Sequence, residues 1–174
     1  VTEGCTVRNN KNTNMKIAAA EGSGTLGGDH GWTIGNDSEE INRFSGKIAG
    51  KGSLTKVGSN TLQLSGENTY TGATNVNAGT LTISNRGKTV SATGTGVLTV
   101  KNGGTFTGNG YIGNSVVVTS HLAGKAQIGD VHITSRRQGA HRGENIILGG
   151  NMQIRPCCLS LGHIAFIQRR VTDK

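Results

Sequence analysis

The chain predicts an all-β fold, a fragment of a right-handed parallel β-helix, and three observations predict it. Short runs such as Thr61-Leu62-Gln63-Leu64-Ser65 and Thr80-Leu81-Thr82-Ile83-Ser84 alternate apolar with small polar residues. That is the pattern of a strand with one buried and one wet face. The runs recur, with Leu62 and Leu81 lying 19 residues apart. Steps of roughly 15–21 residues with about three short strands each describe one coil of a solenoid. The composition agrees: 29 of 174 residues are Gly, one is Pro and only 3% are aromatic. Many short strands joined by tight turns suit it, whereas a bulky globular core built on aromatics does not.

Taken in order, residues 1–40 are polar and read as irregular, with strands expected at Met15–Ala19 and around Trp32-Thr33-Ile34. Glu39, Glu40, Ile41, Arg43 and Phe44 are spaced for a short helical turn. From Phe44 alternation begins, through Phe44-Ser45-Gly46-Lys47-Ile48 and Gly52-Ser53-Leu54-Thr55. After the central pair, Val97-Leu98-Thr99-Val100 is expected to stack on Thr80–Ile83 at a step of 17, and Val116-Val117-Val118 follows at 18. A further internal match aligns Thr107–Ser120 with Ala123–Ser135, placing Ile112 and Ile128 16 residues apart. Gly150-Asn151-Met152-Gln153-Ile154 reads as a last degenerate copy. Coils about 4.8 Å apart would pair their backbones around a thin core of Val, Leu and Ile. Asn60, Asn68, Asn77, Asn102 and Asn109 recur at turns. They are candidates for stacked amide ladders or for ordinary turn residues tolerating a left-handed backbone.

From Arg136 the alternation stops. The segment Arg155-Pro156-Cys157-Cys158 through Arg169-Arg170 brings the only Pro, two Cys and a compact apolar run. A cap closing the open end explains it, and so does a shifted reading frame, which the abruptness favours. Three domains follow: 1–43, an irregular flank or the first degenerate coils; 44–135, the stem; and 136–174, a basic tail, cap or out-of-frame sequence. The net charge of +8 concentrates in that tail, where 7 Lys+Arg face 2 Asp+Glu, against 11 and 8 in residues 1–135. Such a tail suits nucleic acid or an anionic surface, but Phe166 is its only aromatic residue for base stacking. No nucleic-acid partner is expected.

Chemistry-bearing constellations are sparse. Between Ile41 and Gly129 the only acidic residue is Glu67, so the paired carboxylates of a polysaccharide-cleaving β-helix are missing there. Asp37, Glu39 and Glu40 form a small cluster with the look of a solvated loop. The five histidines (His30, His121, His132, His141 and His163) show no metal-ligand spacing. His132 is placed outward by alternation. Gly22–Gly27 and Gly108–Gly113 both fit GxGxxG, but neither precedes a helix that would hold a pyrophosphate. Arg86-Gly87-Lys88-Thr89 lacks the upstream glycine of a phosphate loop. Gly103–Thr107 lacks the later Gly and the Asp of calcium-binding nonapeptides. Cys5, Cys157 and Cys158 suggest neither a disulfide framework nor zinc. No catalytic, cofactor-binding or metal-binding residue is expected, and no cofactor. No run of 18 apolar residues spans a membrane as a helix. The start, lacking both an initiator Met and an apolar leader, reads as part of a longer protein.

One stretch is specific beyond its composition. Gly52, Leu54, Thr55, Lys56, Gly58, Thr61, Leu62, Leu64, Ser65 and Gly66 lead into Asn68-Thr69-Tyr70-Thr71-Gly72, then Thr74, Val76 and Asn77-Ala78-Gly79-Thr80-Leu81. This pattern closely resembles the autotransporter-associated β-strand repeat of bacterial type V secreted proteins, and Gly103–Gly110 resembles their stem coils. The likeness covers roughly residues 44–135. It departs where His121-Leu122 and Arg136-Arg137 stand in place of expected glycines. The resemblance implies a passenger segment carried across an outer membrane by a C-terminal β-barrel outside this chain. It implies localisation at the bacterial surface, or secretion, and a structural stem supporting adhesion or virulence, without catalysis of its own. A host surface or extracellular matrix is then the expected partner, and the exposed strand edges of a cut solenoid favour self-association. A polysaccharide-binding or polysaccharide-active β-helix is the alternative.

Overall fold

A computed structural model describes residues 1–86, 89–101, 103–113, 116–119, 127–131 and 147–149. Among them every named element is a strand and every pairing is parallel. The first rung holds β1 (Thr6–Asn9) and β2 (Met15–Ile17). The second holds β3 (Thr25–Gly28), β4 (Trp32–Ile34) and β5 (Ile41–Phe44), and the third β6 (Lys47–Ile48), β7 (Leu54–Lys56) and β8 (Thr61–Leu64). β9 (Thr74–Val76) and β10 (Gly79–Ile83) form the fourth, and β11 (Leu98–Val100) and β12 (Gly104–Gly108) the fifth. β13 (Val116–Thr119), β14 (Gln127–Val131) and β15 (Ile147–Gly149) extend the stacks. The strands lie in three sheets, ordered β1-β3-β6, β2-β4-β7-β9-β11-β13-β15 and β5-β8-β10-β12-β14. The molecule is a parallel β-solenoid.

In-register stacking turns the alternation of each strand into columns running up the axis. One inward column of the second sheet reads Trp32, Leu54, Thr74, Leu98 and Val116, and its neighbour Ile17, Ile34, Lys56, Val76 and Val100. The third sheet contributes Asn42, Leu62, Leu81 and Phe106, beside Phe44, Leu64 and Ile83. Leu26, Ile48, Tyr70, Ala92 and Ile112 close the core from the remaining side. From the fourth rung on the first face has no named strand, yet backbone bonds still join its arcs, as in Thr69 N to Ile48 O and Thr95 N to Tyr70 O.

Three expectations need correction. Ile41–Phe44 is strand β5 rather than part of a helical turn, because its alternate exposure lets Asn42 and Phe44 face inward against Leu62 and Leu64. Leu98 does not stack on Leu81 at a step of 17. It pairs with Thr74, 24 residues back, while Leu81 pairs with Phe106. The arc from Ser84 to Val97 is long enough for the chain to pass the first face before returning to the second. Ile128 likewise stacks on Phe106 and not on Ile112. The expected pairing of Leu62 with Leu81 and the step from Leu98 to Val116 both match the register. Strands at Met15–Ile17 and Trp32–Ile34 agree with expectation, and residues 1–43 supply β1 to β4 and most of β5 to the same three sheets. Asn102, His121, His132, His141, His163, the segment Gly150–Ile154 and nearly all of residues 136–174 lie outside the described residues.

Corners are made by glycine. The column Gly24, Gly46 and Gly66 turns the third sheet into the first, and Gly52, Gly72 and Gly96 turn the first into the second. A Cβ at Gly46, Gly66, Gly72 or Gly96 would run into the backbone carbonyl of the glycine one rung below.

Candidate functional site: polar outer faces and a buried ammonium

The outward half of each alternation forms the surface available to a ligand. On the third sheet it comprises the columns Ile41, Thr61, Thr80 and Thr105, and Arg43, Gln63, Thr82 and Thr107. On the second it reads Lys16, Thr33, Thr55, Asn75, Thr99 and Val117. Arg43 and Lys16 aside, these columns are uncharged, so electrostatic steering across them is weak. Gln63 Nε2 donates to Ser84 Oγ at 3.0 Å, a side-chain tie between rungs on this face.

Two shallow depressions interrupt the first face. The larger, about 370 Å³, sits over Gly46 between Lys47 and Glu67, with Ser23, Ser45 and Thr69 on its walls. The smaller, about 170 Å³, lies over Gly27 and Gly28 between Arg8 and Asp29. Neither offers an aromatic platform. Asp37, Glu39, Glu40 and Glu67 are all exposed, and Glu67 lies at a different corner from the other three. The structure therefore does not bring Glu67 together with the acidic loop. His30 is half-buried at the corner between the first and second sheets. Cys5 is an exposed free thiol whose sulfur accepts a bond from Thr2 Oγ1 at 3.3 Å. Among the described residues no group of His, Cys, Asp and Glu is arranged to hold a metal.

The unusual chemistry is inside. Leu54-Thr55-Lys56 alternates as a strand must, so Lys56 points into the core, fully buried in a column with Ile34 and Val76. Its Nζ donates to Val57 O at 2.6 Å, Gly58 O at 3.0 Å and Asn60 Oδ1 at 2.8 Å. Burial lowers its pKa from 10.5 to about 8, with Asp37 pulling the other way. Asn60 Nδ2 donates to Asn42 Oδ1 at 2.6 Å, and Asn42 Nδ2 to Glu21 Oε1 at 3.1 Å. Asn60 Oδ1 also accepts the backbone N–H of Asn36 at 3.2 Å.

The other turn amides divide. Asn68 is buried and bridges rungs, its Oδ1 accepting from Ile48 N at 2.7 Å and its Nδ2 donating to Ala92 O at 2.6 Å. Asn109 is exposed, and Asn77 Oδ1 is buried without a hydrogen-bond partner. Among the described residues the amides thus do not form one continuous ladder: Asn68 bonds only to backbone, Asn109 is exposed and Asn77 Oδ1 has no partner. Tyr70 and Thr74 hydroxyls meet at 2.5 Å, and Thr74 Oγ1 donates to Thr93 O at 3.1 Å. Burial pushes the Tyr70 phenol far above its usual range, against the smaller opposing effect of its bond to Thr74. Sequence reasoning missed Lys56 and Asn42 as interior polar groups. Strand parity was the signal that marks both.

A family model described as the passenger-associated-transport-repeat matches residues 54–83. An adhesin of Brucella suis biovar 1 (strain 1330), the BmaC autotransporter, is 40% identical over 85 residues, which cover 49% of this chain and 2% of that protein. The chain thus aligns with a very small part of its relative's length. No solved structure matches it at a significant level.

Proposed function

Since residues 54–83 carry an autotransporter passenger repeat, we propose that this chain is a stretch of the structural stem of a bacterial surface passenger. In this reading it holds an adhesive region away from the cell and performs no catalytic step of its own. The passenger belongs at the outer surface, linked to a translocating outer-membrane β-barrel elsewhere in the longer protein. The observation that carries this is the parallel stack, in which the repeat occupies β7 to β10 and is in register with the rungs on either side. A solenoid of this kind gains stability rung by rung from its neighbours and extends by simple addition of rungs. Its uncharged threonine columns present few groups that would bind one partner strongly. The similarity to an adhesin supports the adhesive setting; the dispersed carboxylates give a polysaccharide-cleaving reading no comparable support.

The test separates stem from receptor-binding surface. In the full-length protein displayed on bacteria, Thr80, Thr82, Thr105 and Thr107 are replaced together by lysine, and Gly66 separately by alanine. Surface exposure is measured by protease accessibility and adhesion by cell binding. A stem keeps adhesion near the wild-type level when its face is recharged and loses it when its stack is broken. Loss of adhesion with normal display in the lysine variant overturns the reading, because the segment would then itself be the binding surface.

A further inference from the structure

We propose that the chain of side-chain hydrogen bonds from Lys56 through Asn60 and Asn42 to Glu21 is the register pin that fixes how rung three stacks on rungs two and one. The need for a pin follows from what the other contacts recognise. Parallel backbone ladders join any residue to any residue. The inward columns repeat every second position, so a slip of two residues keeps each apolar side chain inside. β8 and β10, Thr61-Leu62-Gln63-Leu64 and Thr80-Leu81-Thr82-Ile83, are nearly interchangeable in this respect. Corner glycines are equally blind. A Cβ at Gly66 would meet the carbonyl of Gly46, and a carbonyl is something every residue beneath would offer. Asn68 also reads only backbone, through Ile48 N and Ala92 O.

The relay reads identity. Asn60 Oδ1 is engaged by the Lys56 ammonium, so Asn60 must present its Nδ2 to the rung below, where Asn42 Oδ1 accepts it at 2.6 Å. Asn42 is then left with Nδ2 to donate, and Glu21 Oε1 accepts it at 3.1 Å one rung further down. The direction of both amides follows from the two charges at the ends. Asn42 is 2% exposed and shares a column with Leu62, Leu81 and Phe106, where an apolar residue would fit by shape. A slip that set Arg43 opposite Thr61 would put Phe44 in the place beside Leu62 that Asn42 now holds, so the Asn60 Nδ2 bond to Asn42 Oδ1 would lose its present geometry, and a lost bond to a buried amide is strongly penalised. A single buried polar group that selects one register among several apolar ones is the best-attested use of such groups. The device holds whatever the segment does at the cell surface.

Cysteine cross-linking tests it in the full 174-residue chain with its three native cysteines replaced by serine. The pair Ile41→Cys/Thr61→Cys reports the native register, in which these residues are direct partners. The pair Arg43→Cys/Thr61→Cys reports the two-residue slip. In the native register this second pair is roughly 8 Å apart at Cα, beyond disulfide reach. With the relay intact, the native pair should oxidise at least about tenfold more completely than the slipped pair. Asn42→Leu should bring the two within about threefold while keeping the β-sheet circular dichroism. An unchanged ratio in Asn42→Leu overturns the proposal. If that variant does not fold, Asn42→Ala takes its place under the same criteria. Failure of both to fold, while Leu62→Ala still folds, also overturns it, since the relay would then supply bulk stability and not register.

Discussion

A glycine at a solenoid corner can be needed for its backbone freedom or for its missing side chain, and two positions separate these causes. Gly66 does not hold a positive φ, yet a Cβ there would lie 2.8 Å from both Gly46 C and Ser45 O, and closer still to Gly46 O. Restoring ordinary contact near 3.5 Å requires the corner to lift by about 1 Å or more. The lift strains the flanking rung-to-rung bonds, Ser65 N to Phe44 O at 3.0 Å and Thr69 N to Ile48 O at 2.9 Å. Weakening two such bonds costs about 1–3 kcal/mol, and overpacking of a rigid backbone contact adds about 1–3 kcal/mol. Gly66→Ala should therefore lose about 2–6 kcal/mol, a large share of an ordinary domain's stability. Gly4 is the converse case, with φ at 76° and open space where its Cβ would go. Gly4→Ala should lose only about 1–2 kcal/mol, the cost of a left-handed alanine. Urea unfolding followed by circular dichroism measures both. Equal losses, or a larger loss at Gly4, would refute the claim that close rung contact selects the corner glycines.

Other outcomes follow from the interior. Lys56 titrates near pH 8 when folded and near 10.5 when unfolded, so between those values the unfolded chain binds more protons and stability rises with pH. The urea midpoint should climb across that window, and Lys56→Met should flatten the rise. Asn68→Ala strips partners from Ile48 N and Ala92 O and should cost about 2–3 kcal/mol, with faster hydrogen exchange at the Ile48 amide as its local signature. Leu81→Ala opens a cavity in a fully buried column and should cost about 2–5 kcal/mol in the same unfolding assay. Thr82→Lys on the outward face should change stability by no more than about 0.5 kcal/mol.

Much of this architecture was legible because alternation is a local signal. Thr61–Leu64 and Thr80–Ile83 declare their faces without reference to anything distant, and their shared period identifies them as stacked. The pairing of Leu98 was not legible, since it depends on how far the arc from Ser84 to Val97 travels around the axis, and arc length leaves no periodic mark. Burial of Lys56 went unread for a different reason. An ammonium is expected at the surface, and only its place two residues after Leu54 in a strand argues otherwise. The carbonyls that make its burial tolerable, Val57 O and Gly58 O, belong to backbone, which sequence does not distinguish. Asn42 was hidden in the same way, inside a segment whose charged neighbours suggested a helical turn.

Stacking rung upon rung also decides how such a body yields to force. A pull along the axis presses on few rungs at once, because each rung is held chiefly by the ladders directly above and below it. The end rung peels first, and the rungs behind it keep their bonds. A rung of about 20 residues adds only about 4.8 Å to the folded length, but once peeled it releases up to about 65–70 Å of extended chain. A rod built this way lengthens in discrete steps under load, yielding at its end rung while the remaining column stays intact.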